Sequence, residues 1–542
     1  MTIIGKVSAT QNMPTSADDF AFWLQDDVIV APFDLVSVPN AAGSTTVGVI
    51  REIYHTADSP SHIANYVSSD FGMVDVDVTT PRLGTTYAGV EVLNNDREIY
   101  MPLLDGAPVR FASEDEIRQA LGIDAIPGER RVPAGFLSLS NSTIVPVFLD
   151  SAFLIGPEGA HINISGISGL ATKTTYAMFL LQAICQSAES RRTANIIMNV
   201  KGDDLLFIDQ MRPDLTSGVE KEWENCGLKA KAFDNVRYFF PYVKDGRHYA
   251  NTWCDEGTLT RLFREGKAGN YIYTYQHDRE KLDLLMSNID DPNFTLEAIR
   301  NEILTSPRFD TVSDWNALNT ELALRCQAGK GDTIPVVSWR RFKRLVSTIV
   351  SNDTSGIFQD ARSGMPEKHH VHLAEEISKI KPGDTLVVDI AQIPEQQKCL
   401  VFGDVVRAAY RLKTEGEEEC PERIIIFVDE LNKYAPQAVK SSPIIGDLLE
   451  ITERGRSLGI VLFAAEQFRS EVHGRVKGNC ATNVYGRTNA VEIGTSDYRP
   501  LPKSFTNMMT RLKQGHLIIQ HPIFRSMLKV VFPKPAYYQK VH

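Results

Sequence analysis

The sequence predicts an α/β fold in which helices cover a mostly parallel sheet, with a small β unit ahead of it and a helical insertion within it. From about residue 143 onward, short apolar runs alternate with segments of helical periodicity, which is typical of parallel sheets. The first 90 residues instead read as short strands separated by turn residues. Residues 205–335 interrupt the alternation with helical segments.

The N-terminal region has the spacing of a small barrel or sandwich. Apolar clusters at 20–22, 28–30, 35–38 and 47–53 are separated by polar, Gly and Pro residues. The stretch IPGERRVPAGF, residues 126–136, looks like a linker. We therefore predict these units: an N-terminal β-barrel and linker in 1–125, an α/β core in 126–205 and 335–542, and a helical insertion in 206–334.

Composition limits the class of protein. The chain has 542 residues, 43% of them hydrophobic, which is enough for a large core. No apolar run reaches the ~18 residues of a membrane span, and the first residues do not resemble a secretory signal. The seven cysteines are scattered without a CxxC pair, so we expect a cytoplasmic protein with reduced thiols. The net charge of −11 argues mildly against extensive nucleic-acid binding, without excluding a basic pore.

A strand, a glycine-containing turn and an apolar helix follow one another in HINISGISGLATKTTYAM, residues 161–178. This is the context of a phosphate-binding loop, in which backbone N–H groups and the helix N-terminus surround a phosphate. The lysine would reach the β- and γ-phosphates of ATP, and the next hydroxyl would bind Mg²⁺. The candidate nucleotide-binding residues are Gly166, Ser168, Gly169, Ala171, Thr172, Lys173, Thr174 and Thr175.

Two acids end the apolar strand in RIIIFVDELNKYAP, residues 423–436. Ligands bind at the carboxyl ends of strands in open α/β sheets, so we expect both acids to face the phosphate loop. Asp429 is the candidate Mg²⁺ ligand together with Thr174, and Glu430 the candidate general base. In a third strand, GIVLFAAEQFRS, Gln467 is a candidate for orienting water, while Glu466 has no assigned role.

These three sites, in this order, resemble the HerA branch of the FtsK–HerA superfamily of P-loop ATPases. The resemblance covers most of the chain. It includes VPVFLDSAFLIGPEGAHINISG before the loop, NVKGDDLL at 199–206, VDELNKYAP, GRSLGIVLFAAEQFRSEVHGRVKGNCATNVYGRT at 455–488, and RLKQGHLII at 511–519. It implies a RecA-like core behind a small N-terminal barrel.

The resemblance also implies a homo-hexameric ring that binds ATP and Mg²⁺ between neighbouring subunits. An arginine from one subunit then completes the site of the next. By position this role falls on Arg456, with Arg454 as the alternative; both also fit a basic last turn of a helix.

The sequence departs from the family pattern at two positions. Thr172 replaces the glycine expected before Lys173, and the loop counted from Gly166 is one residue longer than usual. Ala160 stands before His161, where some relatives carry an arginine. These departures suggest slower catalysis, or catalysis that depends on a partner.

Three functions fit the resemblance. The leading one is an ATP-driven, helicase-like translocase that pulls double-stranded DNA through its pore, working with a NurA-like nuclease or another effector docked on the barrel. The second is an ATP-sensing ring scaffold that regulates an anti-phage effector, such as a sirtuin-like NADase or a nuclease, with little DNA movement. The third is a degenerate module that binds nucleotide without turnover, against which Thr174, Asp429 and Glu430 speak.

Two further patterns carry weaker hypotheses. WRRFKRL, residues 339–345, is the most basic short stretch and fits either a solvated helix face or a DNA contact. EKHHVH, residues 367–372, groups three histidines, but no matching acid or cysteine cluster is evident, so we do not predict a metal site there.

Overall fold

The computed structural model describes residues 2–75, 83–167, 172–243, 247–287, 295–327, 334–351, 356–359, 369–416, 419–439 and 442–540. Within these ranges the chain forms an N-terminal barrel and one large mixed sheet with helices on its faces. This confirms the predicted α/β class and the N-terminal barrel.

The barrel closes in the order β1-β2-β5-β4-β3-β6, with every neighbouring pair antiparallel. Apolar side chains alternate inward along these strands and fill the barrel with their own small core. The barrel strands are β1 (Ile3–Val7), β2 (Asp19–Leu24), β3 (Leu35–Pro39), β4 (Thr45–Ala57), β5 (Gly84–Asn95) and β6 (Pro108–Phe111).

The described strands of the large sheet follow the order β13-β12-β11-β14-β10-β15-β16-β9-β17-β18-β19-β7-β8. The pairs from β13 to β17 are parallel, and those from β17 to β8 are antiparallel. These strands are β7 (Arg131–Ser138), β8 (Ile144–Asp150), β9 (Ile162–Ser165), β10 (Thr193–Asn199), β11 (Val236–Pro241), β12 (Ala268–Tyr271), β13 (His370–Val371), β14 (Thr385–Asp389), β15 (Arg423–Asp429), β16 (Ile460–Glu466), β17 (Thr482–Tyr485), β18 (His516–Gln520) and β19 (Leu528–Val531).

Helices pack on both faces of this sheet and form two apolar cores. The helices in the described ranges are α1 (His62–Ser68), which lies between β4 and β5 of the barrel and buries no residue, α2 (Glu114–Leu121), α3 (Ser151–Leu154), α4 (Thr172–Gln186), α5 (Ser217–Asn225), α6 (Glu256–Arg264), α7 (Tyr275–Asp278), α8 (Thr295–Thr305), α9 (Trp315–Arg325), α10 (Val336–Val346), α11 (Leu373–Ser378), α12 (Glu395–Glu415), α13 (Pro443–Leu458), α14 (Gly474–Gly478), α15 (Ala490–Ile493) and α16 (Lys503–Met509). Of the helices in the described ranges, none combines the length and apolar character that crossing a lipid bilayer requires.

The order of the central strands positions the site. β16 lies between β9, which leads into the phosphate loop, and β15, which ends in the two acids. All three run parallel, so their carboxyl ends meet at one edge of the sheet.

Two segments differ from their expected structure. The linker predicted at 126–136 is wrong in its second half, because residues from Arg131 onward form strand β7, which pairs with β8 and β19. The prolines had suggested a linker, but Pro133 lies beside a register shift, where its missing N–H is tolerated. The segment 206–334 contains helices α5 to α9 and, in addition, strands β11 and β12, which extend the parallel sheet.

The barrel contacts the far end of the chain. The Arg51 guanidinium donates to the Ser526 hydroxyl at 2.7 Å and lies over the Phe505 ring, 4.4 Å from its centroid. The Arg525 guanidinium bonds the Asn94 side chain. The C-terminal segment therefore joins the barrel to the large sheet.

Candidate nucleotide site

The predicted phosphate loop lies where β9 ends and α4 begins. Lys173, the second residue of α4, is buried, and its Nζ donates to the Gly166 carbonyl oxygen at 2.9 Å. A Cβ on Gly166 would be tightly packed, 3.2 Å from the Arg487 carbonyl oxygen. Burial lowers the pKa of Lys173, and the nearby Asp429 carboxylate opposes this shift. Ser168, Gly169 and Ala171 lie outside the described residues.

The structure brings Thr174 and Asp429 together across 255 residues of sequence. The Thr174 hydroxyl donates to Asp429 Oδ2 at 3.2 Å. Asp429 is the last residue of β15 and is almost fully buried, while Oδ1 accepts the Glu430 backbone N–H at 2.9 Å. A hydroxyl and a carboxylate are hard oxygen ligands of the kind Mg²⁺ prefers. Thr172 and Thr175 lie in the same turn of α4 and are buried.

Glu430 adopts an unusual backbone conformation. Its φ of 58° and ψ of 46° place a non-glycine residue in the left-handed region, which costs of order 1–3 kcal/mol and persists only where surrounding contacts hold it. Its carboxylate forms an ion pair with Lys433 Nζ at a distance of 2.7 Å. Burial alone would raise the pKa of Glu430, but Lys433 and Lys201 outweigh it and lower that pKa. The side chain is therefore ionised at neutral pH, as a base must be.

The sequence analysis assigned no role to Lys201, which the structure places in the site. Its Nζ lies 3.0 Å from Asp429 Oδ2 and 3.4 Å from Glu430 Oε1. Burial would lower the pKa of Lys201, but the two carboxylates outweigh it and raise that pKa. A signal was present, because Lys201 follows β10, the parallel neighbour of β15, in the segment NVKGDDLL.

Glu466, also left without a role, is the least solvated acid of the site. It ends β16 and has 0% exposure. Burial raises the pKa of Glu466 to about 8, while the positive charges of Arg469 and Lys173 oppose the shift. Gln467 follows it at the same strand end and is half-buried.

Neither candidate arginine lies in the site of its own chain. Arg456 is in the last turn of α13, exposed, with one guanidinium nitrogen 3.4 Å from the Glu158 carbonyl oxygen. That turn precedes the amino end of β16, whereas Asp429 and Glu466 lie at the carboxyl ends, about 20 Å away along a seven-residue strand. Arg454 forms a 2.8 Å ion pair with Glu450 on the same helix.

His161, beside the altered position 160, packs as a core residue. It is buried, and its Nδ1 accepts the Leu462 backbone N–H at 3.0 Å. Burial lowers the pKa of His161 to about 4, so the ring is neutral at physiological pH. It joins the amino end of β9 to β16, at the opposite end of β9 from the phosphate loop.

The structure also locates the basic stretch at 339–345 and part of the histidine stretch at 367–372. Trp339 and Phe342 of α10 are buried, and Arg340, Arg341 and Arg344 are exposed on its other face. Of the histidine stretch, Glu367 and Lys368 lie outside the described residues, whereas His372 approaches two distant side chains. The expectation that no acid accompanies these histidines was wrong, because α7 supplies one through tertiary structure.

Comparisons with known proteins find distant structural likeness only. No protein-family model matches the sequence, and no curated protein matches it. Among solved structures, the bacterial conjugative coupling protein TrwB in its unbound monoclinic form shares 13% identity at a TM-score of 0.46, covering 80% of this chain and 94% of that one. VirB4 of Thermoanaerobacter pseudethanolicus shares 12% at a TM-score of 0.44, covering 76% and 98%.

A third structure, the genome packaging NTPase of Sulfolobus turreted icosahedral virus 2 with ATP-gammaS, shares 17% identity at a TM-score of 0.22, covering 30% of this chain and 71% of that one. At these scores the likenesses assign neither a family nor an activity. The functional argument therefore depends on the site itself.

Proposed function

We propose that this protein is a P-loop ATPase that binds ATP with Mg²⁺ and hydrolyses it. The observation that carries the proposal is the 3.2 Å hydrogen bond between Thr174 and Asp429, which joins the end of the loop to the acidic strand end. Two oxygen ligands from separate elements meet beside a buried lysine, as a bound magnesium nucleotide requires.

The surrounding residues fit the separate tasks of hydrolysis. Lys173 supplies positive charge to the phosphates, and Thr174 and Asp429 fit the Mg²⁺ ion. Glu430 is ionised and held at the strand end, where it can accept a proton from the attacking water. Gln467 at the neighbouring strand end is the candidate to orient that water.

A second step of the proposal is that the active form is a ring, a homo-hexamer of HerA type. The location of Arg456 supports this, because an exposed arginine about 20 Å from the site of its own chain can complete only the site of a neighbour. Arg454 is the alternative, although its ion pair with Glu450 already engages it.

The barrel is the proposed docking surface for a partner enzyme. Of the 22 large apolar residues exposed in the described part of the chain, 15 lie within the first 104 residues. Several cluster at the tip of the long β4–β5 hairpin, where Val74 is 91% and Leu83 80% exposed. Apolar side chains concentrated in this way mark a protein–protein contact, which supports a partner nuclease or other effector.

Two processes are candidates for what ATP hydrolysis drives. In the first, the ring pulls double-stranded DNA through its pore; the exposed basic face of α10 supports a phosphate contact. In the second, the ring is an ATP-sensing scaffold for an anti-phage effector; the net charge of −11 and the altered loop before Lys173 favour this one. We rank the DNA motor first.

The test is ATP turnover by the purified protein alone, with duplex DNA, and with a candidate partner. We expect Lys173→Ala and Glu430→Gln to abolish turnover, with Glu430→Gln still binding ATP. Lys503→Ala, at an exposed lysine of α16, is the control. Normal turnover in Lys173→Ala or Glu430→Gln would refute the site. Stimulation by DNA supports the motor, and stimulation by the partner alone supports the scaffold.

The role of Arg456 needs its own experiment. Arg456→Ala subunits should bind ATP without turning it over. Mixing them with Glu430→Gln subunits should restore part of the activity, because some interfaces then combine an intact base with an intact arginine. If mixing restores nothing, while Arg454→Ala mixed in the same way does, the arginine has been misassigned.

A further inference from the structure

A cavity of about 340 Å³ lies between α10, the first turns of α12 and Leu285, in the segment that follows α7. Its volume is at the lower end of the range that holds small ligands in proteins. None of its eight lining residues belongs to the candidate nucleotide site. The hydrolysis of ATP therefore gives this cavity no role.

The cavity combines an apolar floor with a polar rim. The floor is buried or half-buried and consists of Leu285, Leu345, Ile349 and Cys399. The rim is exposed and consists of Arg341, Arg344, Thr348 and Gln396. Such a lining suits a ligand that has an apolar face at one end and negative charge at the other.

Two arginines on the rim have no partner within the described part of the chain. The side chains of Arg341 and Arg344 form no hydrogen bond or ion pair there. Other arginines of the neighbouring helices are paired: Arg407 lies 2.6 Å from Asp283, and Arg325 lies 3.2 Å from an acid on its own helix. A planar guanidinium binds phosphate through two parallel hydrogen bonds. Two such groups beside one cavity therefore indicate an anionic ligand.

A π-helical turn, Ser347–Ser351, follows α10 and borders the cavity. Turns of this kind are rare and frequently occur at functional sites. This one is fixed on both sides, because the Ser347 hydroxyl donates to Asn319 Oδ1 at 2.9 Å and the Gln397 amide donates to the Ile349 carbonyl oxygen at 3.2 Å. Contacts within the chain therefore set the shape of the cavity before a ligand binds.

We propose that this cavity binds one unpaired nucleotide, with the phosphate on Arg341 and Arg344 and the base against the apolar floor. The Gln396 amide carries both a donor and an acceptor, so it can bond the edge of the base. A free nucleotide and a single-stranded nucleic acid present the same chemistry. A duplex keeps its bases in the stack and offers this cavity phosphates alone. The site thus differs from the duplex contact considered for the basic face of α10.

The experiment measures fluorescence anisotropy of labelled DNA with the full-length chain. The probes are a mixed-sequence single strand, the duplex of the same sequence, and an abasic strand of equal length. EDTA removes the Mg²⁺ that the candidate ATP site needs, so binding does not depend on ATP hydrolysis. We expect the single strand to bind at least about fivefold more tightly than the abasic strand. Unlabelled AMP that displaces the strand identifies a free nucleotide as the ligand, and displacement only by longer strands identifies a single-stranded nucleic acid.

Arginine variants locate the binding on the protein. Arg341→Gln and Arg344→Gln should each weaken binding of the single strand by about tenfold, since each removes a charged hydrogen bond to phosphate. Both side chains are exposed, so the fold should persist. Arg340→Gln is the matched control, because it removes the same charge from the same helix outside the cavity lining. Its effect should stay below about threefold at physiological salt.

Thr348→Leu separates the base from the phosphate. It narrows the cavity without changing charge, so it should weaken binding of the single strand and leave binding of the abasic strand unchanged. Equal binding of the abasic strand or of the duplex by the wild-type chain would overturn the proposal, because no base would then enter the cavity. A loss in Arg340→Gln as large as that in Arg341→Gln would overturn it too, as would a chain that binds no strand and no AMP. If ATP turnover is absent while the expected differences are seen, the ATPase proposal fails and this one stands.

Discussion

Replacing Glu466 with glutamine tests whether the carboxyl group at the end of β16 is held mainly in its neutral form. The side chain has 0% exposure, and burial raises its pKa to about 8 from an ordinary value of 4.5. Glutamine keeps the size of the side chain and removes the ionisation. A difference in stability between the two proteins that changes with pH is then due to ionisation of the Glu466 carboxyl group.

The sign and size follow from the two pKa values. The folded chain binds this proton more tightly than the unfolded chain, so the contribution is most favourable below pH 4.5 and is lost as pH rises through 8. Between these values the loss is about 1.4 kcal/mol per pH unit. Relative to glutamine, wild type should be disfavoured by about 1.4 kcal/mol at pH 5.5 and about 4 kcal/mol at pH 7.5.

The assay is thermal unfolding without nucleotide, at fixed protein concentration, from pH 5.5 to 7.5. The change of about 2.5 kcal/mol across this range corresponds to a difference in Tm between the two proteins that grows by about 2 °C, if the chain unfolds as one unit. Glu471→Gln, which removes an exposed carboxylate nearby, controls for lost charge. A Tm difference that stays constant over this range would refute the reasoning.

Two further predictions concern a backbone position and a lysine of the site. Gly459→Ala should destabilise the chain by roughly 3 kcal/mol or more, because φ is +80° and a Cβ would lie 2.0 Å from the Glu422 carbonyl oxygen. Gly446 lies inside α13, the helix that Gly459 caps, and a Cβ there meets nothing within 4 Å, so Gly446→Ala should instead stabilise the chain by roughly 0.5–1 kcal/mol in urea or thermal unfolding. Lys201→Met should lower the Mg²⁺ concentration for half-maximal ATP turnover, because the ammonium competes for Asp429 Oδ2. It should also move the acid limb of the pH–rate profile upward, since Lys201 helps to lower the pKa of Glu430; unchanged Mg²⁺ and pH profiles would show that Lys201 has no part in the site.

The sequence predicted the elements whose signals are local. β9, β15 and β16 are continuous apolar runs with polar ends, and each lies where its pattern placed it. The approach of Thr174 to Asp429 was also predictable, because the carboxyl ends of parallel strands share one edge of a sheet. The roles of these residues in catalysis stay predictions until turnover is measured.

What escaped prediction depends on contacts between distant segments. Lys201 could be recognised only once β10 was known to lie beside β15. The approach of His372 to His277 and Asp278 could not be predicted, because these residues are nearly 100 positions apart in the sequence. β12 is four residues long and lies between helices, so its pattern was too short to separate from them.

The strand order has a consequence for folding while the chain is being synthesised on the ribosome. β9, which leads into the phosphate loop, is flanked by β16 and β17, and neither is synthesised until after residue 460. β7 and β8 pair with each other, but their connection to the rest of the sheet waits longer still, since β19, the other partner of β7, ends at Val531. A nascent chain that has exposed Lys173 therefore has no neighbouring strands to shape the loop around it. Truncated products should be unable to hold nucleotide, and the long-waiting apolar strands are the segments for which a chaperone is most needed.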